Sequence, residues 1–269
     1  MSKCYIQNLG MIVTDKCNLD CAHCLRGCKR DNFMSDEIIY KTLEQVIGVG
    51  NLSIMGGEPT LAIDRIEKII NSVIENNIRL DLFTITINGT IYSKDFLLLL
   101  DEISKYMNDD QNCCFAISTD RYHIDELNRL GLIDLFKENL AKYMESKYFF
   151  GFRNPSKKFF REGNAVHLDN NFTVPLRPLD MLVTYVGDNK KFNNSGLCNI
   201  GPLISVNTNG IVTQGDASIA NQETIYNYGN ILNDSIENIA LLNGKLIEKP
   251  KTFERSTARL LKRYQNYNR

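Results

Sequence analysis

Short apolar runs alternate with longer amphipathic runs over the first two thirds of the chain, a rhythm that predicts βα units around a parallel sheet. Strands are predicted at 9–14, 51–55, 82–87, 114–118, 148–152 and 181–186. Helices are predicted over 35–48, 62–77, 93–107 and 124–144, the last either continuous or broken at Gly131. The pattern therefore favours an α/β fold whose strands lie side by side.

The rhythm is lost after about residue 153, where a long connection without clear periodicity begins. Residues 203–213 are typical of a β-hairpin, because Asn209 and Gly210 form a strong turn signal between β-rich runs. Helices are predicted near the end, over 235–247 and 255–269, and the basic character of the latter is simplest as a solvated helix face.

Composition narrows the class of protein. The 269 residues are 43% hydrophobic and 23% charged, which is ordinary for a globular domain. A net charge of −1 gives no reason to expect a nucleic acid or an anionic membrane as partner. No apolar run has the length of a membrane span, and the opening MSKCYIQNLG has no signal-peptide core. We therefore expect a reducing, cytoplasmic location.

Eight cysteines are present, and in a reducing compartment clustered cysteines favour metal binding or catalysis over disulfides. Three of them, Cys17, Cys21 and Cys24, have the spacing C-x₃-C-x₂-C. A structural zinc site takes four protein ligands and a disulfide framework takes pairs, so the triplet fits neither. It predicts a partner that keeps one coordination position open. The other five cysteines are read mainly as small packed residues: Cys4, Cys28, Cys113, Cys114 and Cys198.

Polar residues, glycines or thiols follow four successive predicted strands. In chain order these exits read TDKCNLDCAHC, GGEP, NGT and STDRYH. In a parallel barrel or partial barrel the active site lies at the carboxyl ends of the strands. Each exit alone is weak evidence, because a turn or a strand-end cap explains it, but the four in this order predict one shared site.

These exits resemble those of the radical S-adenosylmethionine (SAM) superfamily. The resemblance rests on the cysteine triplet, on residues 56–59, on Asn88-Gly89, and on Ser118 with Asp120, and it spans about residues 8–125. It implies a partial (β/α)6 barrel over residues 1–190. It also implies a [4Fe–4S] cluster held by Cys17, Cys21 and Cys24, with SAM on the open iron and reductive cleavage to a 5′-deoxyadenosyl radical.

The resemblance also assigns cofactor-binding positions, namely Gly56, Gly57, Glu58, Pro59, Asn88, Ser118, Asp120 and His23. The glycines match a segment whose backbone contacts the SAM amino group, and Pro59 stiffens its exit. Ser118 and Asp120 match positions that reach the SAM ribose or carboxylate. His23 stands where relatives carry an aromatic near the adenine. His123 and His167 are read instead as core or surface histidines.

Residues 191–269 resemble a degenerate SPASM-type (twitch-like) extension with α+β character. Cys198 and Gly201 match its opening loosely, but Gln214 and Gly215 stand where its next cysteine belongs. One cysteine does not provide the usual four thiolates of a second cluster, so a single cluster is expected. Cys198 is then either a buried remnant or a thiol that donates hydrogen to a substrate radical.

Several functions remain open from the sequence. The leading interpretation is an oxidoreductase-like enzyme that modifies a ribosomal peptide, by epimerisation or crosslinking, with a flavodoxin or ferredoxin as reductant. Alternatives are radical chemistry on a small cofactor or nucleoside, and activation of a glycyl-radical enzyme. A non-enzymatic iron–sulfur sensor and a zinc-binding interaction module are further alternatives, and neither requires cleavage of SAM.

Overall fold

The computed structural model describes residues 3–107, 111–153, 158–177, 180–186, 197–215 and 217–246. Their strands are β1 (Cys4–Thr14), β2 (Val46–Gly56), β3 (Arg79–Leu80), β4 (Phe83–Ile87), β5 (Cys113–Ser118), β6 (Phe149–Arg153), β7 (Phe159–Phe160), β8 (Thr173–Val174), β9 (Leu182–Val186), β10 (Leu197–Gly201), β11 (Ile204–Val206), β12 (Ile211–Thr213), β13 (Gly229–Asn230) and β14 (Lys245–Leu246). Their α-helices are α1 (Asp36–Leu43), α2 (Ile63–Glu75), α3 (Lys94–Met107), α4 (Arg121–Arg129), α5 (Ile133–Met144), α6 (Ile219–Glu223) and α7 (Ile236–Asn243).

The central strand is β1, and most of its residues are buried. Parallel pairing runs from β1 through β2, β4 and β5 to β6. On its other side β1 pairs in parallel with β10 near its start and with β11 further along. The α/β class with a partial parallel barrel is confirmed, because βα units deliver successive strands to one sheet.

Helices α1, α2 and α3 pack side by side as the strands do. On α2 the buried residues Ile66, Ile69, Ile70 and Val73 recur at helical spacing and form one apolar face. Of the two alternatives for residues 124–144, the helix broken at Gly131 is the one observed, since this glycine has a φ of 69° and separates α4 from α5. The predicted hairpin is confirmed by the antiparallel pair β11 and β12.

The strand predicted at 181–186 is observed as β9, but it does not lie beside β6, where a regular barrel would place its sixth strand. β9 does not follow β6 in the sheet; it pairs antiparallel with β10, on the far side of β1. A parallel neighbour for β6 requires a long crossover, usually a helix. The connection between β6 and β9 instead contains short 3-10 turns at Gly163–His167 and Asn170–Phe172 and the small pair β7 and β8.

The helix predicted over 35–48 is too long. It ends at Leu43, and β2 already begins at Val46. Val46 pairs with Cys4, and the backbone N–H of Cys4 donates to Gln45 O at 2.8 Å. β-branched residues favour strands, and pairing with β1 overrides the helical pattern here.

The proposed division at residue 190 stays a prediction, because residues 187–196 lie outside the described part of the chain. On either side of it, β9 and β10 pair with each other, so both sides contribute to one sheet. The helix predicted over 255–269 also lies outside the described residues. Among the helices described, none has both the length and the apolar character needed to span a bilayer.

Candidate active site

The carboxyl ends of β1, β2, β4 and β5 meet at one edge of the sheet because these strands are parallel. The segments at these ends carry the candidate residues: Cys17, Cys21, His23 and Cys24 after β1, Gly56 to Pro59 at β2, Asn88 after β4, and Ser118 and Asp120 at β5. The sheet therefore brings four separate stretches of sequence to one place.

The cysteines lie on a loop whose base is closed by main-chain hydrogen bonds. The backbone N–H of Asp15 donates to Asn32 O at 3.0 Å, and that of Met34 donates to Val13 O at 2.9 Å. The hydroxyl of Thr14 also donates to Asn32 O at 2.8 Å. The chain between these contacts therefore leaves the sheet and returns to it at the same point.

A buried ion pair closes the loop a second time, around the cysteines. Arg26 Nη2 donates to Asp15 Oδ1 at 2.7 Å, and both side chains are buried. Thr208 Oγ1, from the turn between β11 and β12, donates to Asp15 Oδ2 at 2.7 Å. Burial lowers the pKa of Arg26, and the charge of Asp15 opposes this. Because Asp15 precedes Cys17 and Arg26 follows Cys24, the pair encloses all three cysteines.

The glycines after β2 allow two backbones to approach each other. The N–H of Gly57 donates to Thr14 O at 2.8 Å, and that of Glu58 donates to Lys16 O at 2.9 Å. A Cβ atom on Gly57 would stand 2.3 Å from Lys16 O, and one on Gly56 would stand 2.7 Å from Thr14 O. The sequence predicts that these glycines make room for a ligand; their observed contacts are with the start of the cysteine loop.

Glu58 joins the exits of β2 and β4. Its Oε2 accepts from the Asn88 N–H at 2.7 Å, while Oε1 accepts from the Thr60 N–H at 3.0 Å and hydroxyl at 2.6 Å. Burial raises the pKa of Glu58 to about 7, and these hydrogen bonds act against the rise. Asn88 Nδ2 in turn donates to Asn18 Oδ1 at 2.8 Å, which ties the cysteine loop to the same network.

Two residues of α4 that the sequence does not single out for this site also contact the cysteine loop. Nδ1 of the buried His123 lies 3.9 Å from Cys21 Sγ, and its Nε2 lies 3.0 Å from Asn88 O. A carbonyl only accepts, so Nε2 carries the proton. Glu126 Oε1 accepts from the Asp20 N–H at 2.9 Å.

Asp120 begins α4 as its N-cap. Its Oδ1 accepts from the Tyr122 N–H at 3.0 Å and the His123 N–H at 3.1 Å, and Oδ2 lies 3.3 Å from His23 Nε2. Burial alone raises the pKa of Asp120, but the contacts with His23 and His123 hold it below its ordinary value. Ser118 is the half-buried last residue of β5. A histidine one turn after an N-cap at a strand exit is the sequence signal that would have pointed to His123.

His23 lies among aromatic rings. Its imidazole stacks on Tyr122 at a centroid distance of 5.4 Å and meets the edge of Phe159 at 4.7 Å. Its Nδ1 is buried, and within the described residues it has no hydrogen-bond partner. His23 therefore lies in an aromatic environment, and its place near the adenine stays a prediction.

The connection after β6 covers the end of the cysteine loop. The backbone N–H of Asn164 donates to Cys24 O at 2.8 Å, and its side chain donates to Cys21 O at 3.1 Å. A Cβ atom on Gly163 would stand 2.4 Å from the carbonyl oxygens of Cys24 and Leu25, and its φ is 54°. Glycine is required here for both reasons. Periodicity gave no sign of this contact.

Cys198 is not brought to this edge, which corrects its predicted role as hydrogen donor. It is fully buried in β10 and pairs with Cys4, the first residue of β1. The cysteine loop leaves the other end of this eleven-residue strand. At about 3.3 Å per residue, roughly 30 Å separates the two ends, too far for direct hydrogen transfer. The alternative, a packed remnant, agrees with this position.

The three thiols suit an iron–sulfur cluster by their chemistry. Burial raises the pKa of Cys17 to about 11 and of Cys21 to about 12, and charge on Cys24 adds to both. Bound iron reverses this preference because it requires thiolates. Among the described residues, no group of three His, Cys, Asp or Glu side chains is arranged to bind one metal ion. A [4Fe–4S] cluster does not require such a group, because each of its thiolate ligands binds a different iron.

Comparison with known proteins agrees with this site. The sequence model of the radical SAM superfamily matches residues 11–145. Two curated relatives, both named GTP 3′,8-cyclase, from Clostridium perfringens strains SM101 and 13, are 24% identical over 201 residues. The match covers 70% of this chain, which spans only 58% of the length of those relatives.

Two solved structures also match this chain at low sequence identity. The structure titled native anSMEcpe with bound AdoMet and Cp18Cys peptide is 17% identical, covers 64% of this chain and 55% of that one, and has a TM-score of 0.38. Streptococcus suis SuiB bound to precursor peptide SuiA is 14% identical, covers 88% and 64%, and has a TM-score of 0.42.

Replacing Asp15 by Asn should loosen the cysteine loop. The buried Arg26 would keep its charge without a counter-charge, which typically costs about 3–5 kcal/mol. We expect less iron per chain after anaerobic reconstitution, measured by iron and sulfide analysis. Asp31→Asn is the matched control, since Asp31 pairs with Lys16 on the same loop but is exposed. Equal iron in wild type and Asp15→Asn would contradict the role given to this pair.

Glu58→Gln should change how stability depends on pH. The pKa of Glu58 is raised from 4.5 to about 7, so the folded protein keeps a proton that the unfolded chain releases. The free energy of unfolding of the wild type should therefore fall, relative to the variant, as pH rises from 4.5 to about 7. Urea denaturation across this window measures it. Glu44→Gln, at an exposed position, should follow the wild type, and parallel curves for wild type and Glu58→Gln would refute the expectation.

Proposed function

Because the chain belongs to the radical SAM superfamily, we propose that it cleaves SAM reductively and abstracts a hydrogen atom from a peptide substrate. Members of this superfamily are enzymes that use a [4Fe–4S] cluster and SAM. When bound, these two groups supply one electron and a 5′-deoxyadenosyl radical. The observation that carries the proposal is the clamped loop of Cys17, Cys21 and Cys24 at the edge where the strands end.

The cysteine loop would hold the cluster by three irons and leave the fourth for SAM. Asp15 and Arg26 fix the two ends of this loop, and Asn164 covers its backbone at Cys21 and Cys24. His123 packs beside Cys21 and excludes water from that side. Exclusion of water and side reactions is what the protein contributes when a cofactor carries a radical.

The segment after β2 would receive the SAM amino group through carbonyl oxygens. The N–H groups of Gly57 and Glu58 are already used by the start of the cysteine loop. An amino group donates hydrogen bonds, so it needs acceptors, and a strand-end backbone offers them. Glu58 would act indirectly, because its carboxylate holds Asn88 and Thr60 in place.

The end of β5 and the last part of the cysteine loop would hold the nucleoside part of SAM. His23, flanked by Tyr122 and Phe159, offers an aromatic surface for the adenine. Ser118 would reach the ribose. Asp120 would position His23 and start α4, since both of its oxygens are engaged by those groups.

Replacing Cys17, Cys21 and Cys24 together by Ala should remove iron binding and all SAM cleavage. The measurement is iron content after anaerobic reconstitution and 5′-deoxyadenosine by mass spectrometry after addition of dithionite or a flavodoxin- or ferredoxin-type reductant. Cys28→Ala is the control, because Cys28 is exposed on the same loop and should keep both properties. Deoxyadenosine formed by the triple variant would overturn the proposal.

A nucleotide is the second candidate substrate, favoured by the relatives named GTP 3′,8-cyclase. The two candidates are separated by deuterium transfer. Deuterium from labelled GTP that appears in 5′-deoxyadenosine would identify the nucleotide, while transfer from a labelled peptide alone would support the leading proposal.

A further inference from the structure

The outer edge of β6 is open among the residues described. Within the part of the chain that the structure describes, β6 is the last strand on its side of the sheet and pairs only with β5 there. Phe150 is 81% exposed and Phe152 is 52% exposed. An edge strand presents free N–H and C=O groups, and proteins usually blunt such edges or cover them. Two exposed phenylalanines on an open edge, one of them at the irregularity between Phe149 and Gly151, indicate a surface that receives another chain.

This edge leads into the candidate active site. Ser118 pairs with Arg153, and Ala116 pairs with Gly151. Paired residues of adjacent strands lie on the same face, so Arg153 stands next to Ser118 at the carboxyl end of the sheet. A strand laid along β6 would therefore continue toward the site that Ser118 borders.

Basic side chains without acidic partners lie in β6 and in the segments that follow β5 and β6. Within the described residues, none of four cations has a carboxylate within ion-pair distance: Arg121, Arg153, Lys158 and Arg161. On the neighbouring helices, by contrast, Arg129 pairs with Glu126 and Lys137 with Asp134. Arg121 lies over the ring of Phe172 at 4.9 Å. We call these four residues the basic rim.

We propose that the outer edge of β6, together with the basic rim, binds an acidic peptide segment as an added strand and directs its following residues to the site. This deepens the proposed function and rests on it for the role of the peptide. Strand addition satisfies the free backbone groups, and the rim selects for acidic side chains.

The charge of the basic rim favours an external acidic chain over residues 251–269 of this protein as the occupant of the edge. Residues 251–269 contain six Lys or Arg and one Glu, which gives them the same sign of charge as the rim. A nucleotide would satisfy the rim cations, but it would leave the backbone groups and phenylalanines of β6 uncovered. A peptide accounts for both features.

Fluorescence anisotropy with the reconstituted protein tests this, using a short labelled peptide that alternates glutamate and threonine. We expect it to bind at least about tenfold more tightly than its lysine counterpart, because like charges at an interface are strongly disfavoured. Methylation of alternate backbone nitrogens of the glutamate peptide should weaken its binding about fivefold or more, since each strand hydrogen bond contributes roughly 1 kcal/mol.

Arg153→Glu should weaken binding of the glutamate peptide about fivefold or more. Lys3→Glu, the same charge change at an exposed residue before β1, should not. Equal binding of the glutamate and lysine peptides, no effect of methylation, or full displacement by GTP would each overturn the inference. Because the assay contains neither SAM nor reductant, its failure leaves the test of SAM cleavage untouched.

Discussion

The arrangement at the carboxyl edge depends on one buried contact, the ion pair between Asp15 and Arg26. It joins the residue that follows β1 to a residue two positions after the third cysteine, and Thr208 ties the distant hairpin to the same carboxylate. Removing one partner of a buried pair is far more costly than the pair itself is stabilising. The interaction therefore specifies the loop conformation more than it adds to global stability.

The surrounding contacts convert this loop into a site. The glycines after β2 let the backbone form hydrogen bonds directly with the start of the cysteine loop. Glu58 extends this network, because its carboxylate accepts a hydrogen bond from the backbone of Asn88. His123 and Asn164 contact the loop from α4 and from the connection after β6. Segments from several strands and helices thus contact the loop that carries the three thiols, which explains why chemistry confined to the eight residues from Cys17 to Cys24 requires a large domain.

Sequence predicted what depends on local pattern. The cysteine spacing, the polar strand exits and the break at Gly131 are all readable without a structure. It could not predict pairings between distant residues. The pairing of Val46 with Cys4 ends the first helix earlier than its pattern predicts. The pairing of Cys198 with Cys4 places that thiol at the end of the sheet opposite the cysteine loop. The pairing of Arg26 with Asp15 could not be predicted either, because tertiary contacts determine which carboxylate lies next to the guanidinium group.

Electron paramagnetic resonance of the reduced, reconstituted protein, with and without SAM, tests the central claim most directly. Three cysteine ligands leave one iron able to bind SAM, so the account predicts a single [4Fe–4S]⁺ signal whose g-values shift when SAM is added. A cluster signal that SAM leaves unchanged, or iron that never assembles on this loop, would contradict it.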